Sequence, residues 1–129
     1  MLSKNLDVLG CKWKWRFSGI VKEPTNNYEV AGYCCFITKT LYIATEYADM
    51  KESRCVLEIV NTMFHEYLHA IFFEAELRDQ TWFTGNAEHV IISPIARCLS
   101  NEYVKKNKIK TRRDLERCTG IRGIVPSKR

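Results

Sequence analysis

The sequence predicts an α+β domain: a small antiparallel sheet followed by a pair of helices. Three observations predict it. Alternating and β-branched runs are confined to residues 11–44, the apolar period turns helical from about Lys51 onward, and 129 residues suit one core. Strands gathered before helices, with no long linker or internal repeat, exclude the alternating β–α order of a parallel α/β sheet.

The first element is Cys11–Ser18, where Trp13, Trp15 and Phe17 alternate with Lys12, Lys14 and Arg16. Period two is that of a strand with one face buried. Aromatic and basic residues together also bind single-stranded nucleic acid, but here they fall on opposite faces, which suits a sheet on a core better than a stacking groove. Glu23-Pro-Thr-Asn-Asn is a turn cluster. Val30–Ile37 and Thr40–Ala44, separated by Thr38-Lys39, read as a hairpin. From about Lys51 to Leu77, Val56, Val60, Met63, Tyr67 and Ile71 recur at helical spacing, widened by Ile59, Phe64 and Leu68. Arg78–Gly85 is a loop that exposes Trp82 and Phe83. A second helix spans about Asn86–Lys106 with Ile92, Ile95 and Leu99 inward, and Pro94 either kinks it or restarts it with Ser93 as N-cap. Thr111-Arg-Arg-Asp114 is a capping box for a short terminal helix.

Hydrophobic content of 46% with 27% charged residues excludes a disordered chain. No apolar run reaches the ~18 residues of a membrane helix, and the first residues do not resemble a secretory signal, so a soluble, cytoplasmic protein is expected. The six cysteines contain no C-x-x-C pair and are expected to be free thiols. Charge is uneven: residues 105–129 carry a net +8, residues 1–104 a net −3. This divides the chain into a body, 1–106, and a basic C-terminal tail, 107–129, expected to be dispensable for folding. The tail is expected to be a solvated end, with nucleic-acid binding through residues 105–129 as the alternative.

The chemistry sits in Phe64-His65-Glu66-Tyr67-Leu68-His69-Ala70, an H-E-x-x-H. On a helix, residues four apart share a face, so His65 and His69 can grip one metal ion while Glu66 reaches a water upon it. The two histidines share a stripe with Glu58, Asn61, Thr62 and Phe72, opposite the apolar stripe, so they face a cleft. A catalytic zinc takes three protein ligands and keeps one position open. The candidates for the third are the neighbours Glu88 and His89. Glu88 is favoured because it shares a face with Ile92, Ile95 and Leu99; His89, aligned with Ile92, Ala96 and Ser100, is the alternative.

H-E-x-x-H followed by a glutamate on the next helix resembles the gluzincin pattern of zinc metallopeptidases. The compact form resembles the minimal zincins, nearest the ImmA/IrrE type and small H-E-x-x-H proteins of phages and prophages. The resemblance covers about Tyr28–Lys106. It implies a zincin-like metallopeptidase domain over 1–106, zinc on His65, His69 and Glu88, and Glu66 as catalytic base. It also implies a protein or peptide substrate, with Thr40–Ala44 as the edge strand that pairs with it, and the host bacterial cytoplasm as the setting for a phage-encoded protein. Tyr47, Tyr67 and Tyr103 are the candidate donors to an oxyanion. Two other readings stay open: a zinc-binding interaction or inhibitor protein that presents Trp82 and Phe83, and a DNA-associated protein anchored by its tail.

Overall fold

A computed structural model describes residues 2–46, 54–77 and 84–125. The alternating segment is strand β2 (Cys11–Ser18), with Trp13 buried and Trp15 and Phe17 half-buried on its inner face. Strand β1 (Leu6–Val8) pairs antiparallel with it through a two-residue turn at Leu9 and Gly10. Both turn residues have positive φ, 50° and 87°, as a tight hairpin matched to sheet twist requires. The Gly10 amide donates to Asp7 Oδ1 at 2.8 Å. Short strands β3 (Val21–Lys22) and β4 (Glu29–Val30) form a separate ribbon around the Glu23–Asn27 turn. Strands β5 (Gly32–Cys35) and β6 (Thr40–Ala44) form the expected antiparallel hairpin.

The α+β class holds, but the sheet is mixed. Its order is β1-β2-β6-β5, and β6 runs parallel to β2, with Trp15 opposite Leu41 and Phe17 opposite Ile43. The long connection from Gly19 to Lys39 lets β6 return in the direction of β2, a pairing that strand periodicity does not encode. One expectation falls with it. Thr40–Ala44 is bonded on both sides, so it is no edge strand; among the described residues the edges of this sheet are β1 and β5.

Helix α1 (Val56–Glu74) turns Ile59, Val60, Met63, Phe64 and Ala70 inward. Arg54, just before it, is buried and clamps it to the sheet. Its guanidinium donates to the carbonyls of Ala31, Ala44 and Glu58 and to Thr62 Oγ1. Helix α2 (Gly85–Lys106) starts where Thr84 Oγ1 accepts from the Ala87 amide, and runs unbroken through Pro94. Pro94 and Val90, the residue whose carbonyl it leaves without an intrahelical donor, are both exposed, so water can serve that group. The inward stripe of α2 is Glu88, Ile92, Ala96 and Ser100, whereas Ile95 is 41% exposed. Trp82 and Phe83 lie outside the described residues.

The C-terminal segment corrects the division at residue 106. Helix α3 (Arg112–Thr119) has the expected capping box at Thr111 and Asp114 and ends on Gly120 at φ 76°. Ile109, Leu115, Ile121 and Ile124 are buried in one cluster with Ile43, Ile59, Met63 and Phe64. Arg112 donates to the carbonyls of Thr45, Arg54 (2.8 Å) and Ile124 (3.3 Å). Residues 109–124 are therefore part of the core. Their abundant charge hides a few apolar residues, each nearly or wholly enclosed. No helix of the described residues is long and apolar enough to cross a membrane.

Candidate metal centre

One turn of α1 places His65 and His69 on the same side, with ring centroids 4.9 Å apart. The start of α2 brings His89 over both, at 5.5 Å from the His65 ring and 4.9 Å from the His69 ring. One nitrogen from each of the three imidazoles lies within 4.8 Å of the other two. His69 is buried, His65 half-buried and His89 exposed, so the cluster opens to solvent on the α2 side.

Glu88, the favoured third ligand, meets His69 directly. Its side chain is buried, and Oε1 lies 2.8 Å from Nδ1 of His69. A carboxylate on Nδ1 fixes the tautomer and orientation of the ring and places the lone pair on Nε2. The third member of the imidazole group is His89, the residue given as the alternative. The helix-face reading is right that Glu88 lies inward with Ile92, with Leu99 packed against the core and Ile95 turned outward. Glu88 does point inward, and for that reason it reaches His69 from behind.

The donor set fits a borderline metal ion. Nitrogens ~2.1 Å from a tetrahedral zinc stand roughly 3.4 Å apart, so the three rings need only small side-chain adjustments to meet it. Burial presses the His65 imidazolium down to about 4, helped by the charges of His69 and His89, which keeps its lone pair free at neutral pH.

Glu66 is 7% exposed and faces the sheet rather than open water. Burial pushes its carboxyl up to about 8, and the charge of Glu88 adds to the effect; a cation among the imidazoles acts in the opposite sense. Strand β5 makes room for it at Gly32. A Cβ there would stand 2.7 Å from Thr62 Cγ2, 2.9 Å from Glu66 Cγ and 3.0 Å from Glu66 Oε2. The sequence signal was available: an isolated glycine in a strand pattern marks close approach of another group. The clamp by Arg54 had no such signal.

The structure places two of the three candidate tyrosines. The Tyr67 hydroxyl donates to the Asp7 carbonyl at 3.3 Å, and that of Tyr103 lies 3.3 Å from Cys118 Sγ, so both are engaged away from the histidines. Tyr47 lies outside the described residues. Compared with protein-family models, curated proteins and solved structures, the chain finds no match.

Proposed function

We propose that the protein is a zinc-dependent peptidase that hydrolyses a peptide bond in a protein substrate. The observation that carries this reading is the grouping of His65, His69 and His89 within 4.8 Å, with Glu66 next to the first ligand on the same helix. His65, His69 and His89 would hold the ion, and Glu88 would orient His69. Zinc, when bound there, would supply Lewis acidity that lowers the pKa of water to ~7 and polarises a carbonyl. Glu66 would act as the general base that takes a proton from water and passes it to the leaving amine. Gly32 keeps β5 close against Glu66, and β5 is the sheet edge beside the centre. An extended peptide adding to that edge would lay its backbone past Glu66.

The test is metal content together with proteolysis. The purified protein should carry about one zinc per chain, and incubation with a proteome-derived peptide library should generate new termini read by mass spectrometry. Glu66→Gln should keep the zinc and lose at least ~100-fold in cleavage rate. A protein that takes up no zinc, or equal cleavage by the Glu66→Gln variant, would overturn the reading.

A further inference from the structure

Away from the histidines, the fold assembles a cationic surface that no single segment contains. One concavity of about 280 Å³ is lined by Lys4, Lys14, Trp15, Ile121 and Arg122. A second, of about 430 Å³, is lined by Arg113, Glu116, Arg117, Gly120, Ile121 and Arg122. They share Ile121 and Arg122, so five cations from the N-terminal segment, β2, α3 and the turn after α3 line adjoining hollows. None of these residues belongs to the metal centre.

The arrangement is built rather than incidental. The Lys4 amide donates to the Thr119 carbonyl at 3.1 Å, which seats the N-terminal segment against the end of α3. Trp15 Nε1 donates to the Ser3 carbonyl at 2.8 Å, fixing the same segment to β2. Glu116 is the one carboxylate among the lining residues, and its Oε2 accepts from the amides of Ile124 and Val125 at 3.0 and 3.1 Å, directed at backbone; Asp114, just outside the lining, accepts from the exposed Arg117 at 2.6 Å.

We propose that this surface binds the phosphate backbone of a nucleic acid without sequence preference. Three of the five cations are arginines, whose planar fork matches phosphate oxygens. Two hollows sharing Arg122 suit a chain of successive phosphates better than a single anion. A membrane fits poorly: among the described residues the exposed large apolar side chains, such as Leu9, Tyr28, Ile37 and Val90, lie outside the lining set, so the lining offers none to enter a bilayer. The inference is independent of the peptidase reading. It also relocates the binding expected of the tail: Lys4 and Lys14 come from the other end of the chain.

The test is fluorescence anisotropy of the full chain with a labelled 20-nucleotide single strand and the matching duplex, from 50 to 200 mM salt. Neutralising about five phosphates gives a slope of log K against log salt near −3.5 for the single strand and near −4.5 for the duplex. Lys14→Glu with Arg122→Glu should weaken binding at least tenfold and flatten the slope by about 2. The charge-matched pair Lys22→Glu with Lys108→Glu, exposed but outside both hollows, should change it less than threefold. Lys14→Gln with Arg122→Gln, compared at unchanged Tm, gives the same answer should the reversal disturb the fold. No binding at 50 mM salt, equal loss in the two pairs, or tighter Lys14- and Arg122-dependent binding to polyglutamate or phosphatidylserine vesicles would each overturn the proposal.

Discussion

Leu115→Ala measures whether the C-terminal helix belongs to the core. Leu115 is wholly buried, in the cluster that holds Met63, Phe64, Ile109, Ile121 and Ile124. The substitution removes three carbons, worth ~2.4 kcal/mol at ~0.8 kcal/mol per buried methylene. The cavity left behind adds to this, since backbone on a capped helix cannot fully collapse, and the total comes to about 3–4 kcal/mol. An unfolding entropy of ~2.1 cal/mol/K per residue gives ~0.27 kcal/mol/K for this chain, so Tm should fall by about 11–15 °C. The assay is thermal unfolding by circular dichroism, with Lys110→Ala as an exposed control expected to stay within ~2 °C. A Leu115→Ala protein that melts within 2 °C of the parent would refute the packing argument, for then α3 would contribute no buried volume. By the same logic, deleting residues 107–129 should abolish the cooperative transition.

Gly32→Ala should cost about 1–3 kcal/mol, because the new Cβ meets Thr62 Cγ2 at 2.7 Å and that methyl cannot swing away. Thr62 Oγ1 is held by Arg54 at 2.7 Å and bonds the Glu58 carbonyl at 3.0 Å. A Tm unchanged by Gly32→Ala would show that β5 stands off from α1. At the candidate metal centre, if zinc is held there as proposed, Glu88→Ala should lower its affinity 10–100-fold by releasing His69, and His89→Ala should lower it further, both read by chelator competition. Zinc kept by His89→Ala and lost by Glu88→Ala would reverse the two assignments. Glu74, at the end of α1, accepts from Trp13 Nε1 and Lys39 Nζ, each at 3.0 Å. Hydrogen bonds from Cys11, Trp13 and Lys39 hold its carboxyl down to about 2. A depressed carboxyl stabilises the fold above its ordinary pKa near 4.5, and that contribution fades as pH drops toward 2. Glu74→Gln should therefore lower Tm at pH 7 and flatten the decline of Tm between pH 4.5 and 2. An unchanged slope would show that Glu74 carries no linkage.

Strand β2, the β5–β6 hairpin, the three helices and the H-E-x-x-H turn of α1 were legible in the sequence, whereas β1 and the β3–β4 ribbon were not. Period two at Trp13, Trp15 and Phe17, period 3.6 along α1, the Thr111–Asp114 cap and the i, i+4 pair His65 and His69 are all local, set by backbone geometry within a few residues. Contacts between residues far apart in the chain were not legible in the sequence, because they depend on the packing of whole elements. The return of β6 alongside β2 made β5 the edge. The rotation of α2 sent Glu88 behind His69 and brought His89 over the other two rings. Lys4 came to lie against Gly120, and the C-terminal segment, read as a solvated tail from its charge, closed the core. Charge and propensity are properties of a stretch of chain, whereas burial is a property of the contacts around one side chain. A segment with net positive charge can still dock through Ile109, Leu115, Ile121 and Ile124, because four enclosed apolar side chains outweigh a solvated charged face that loses little on folding.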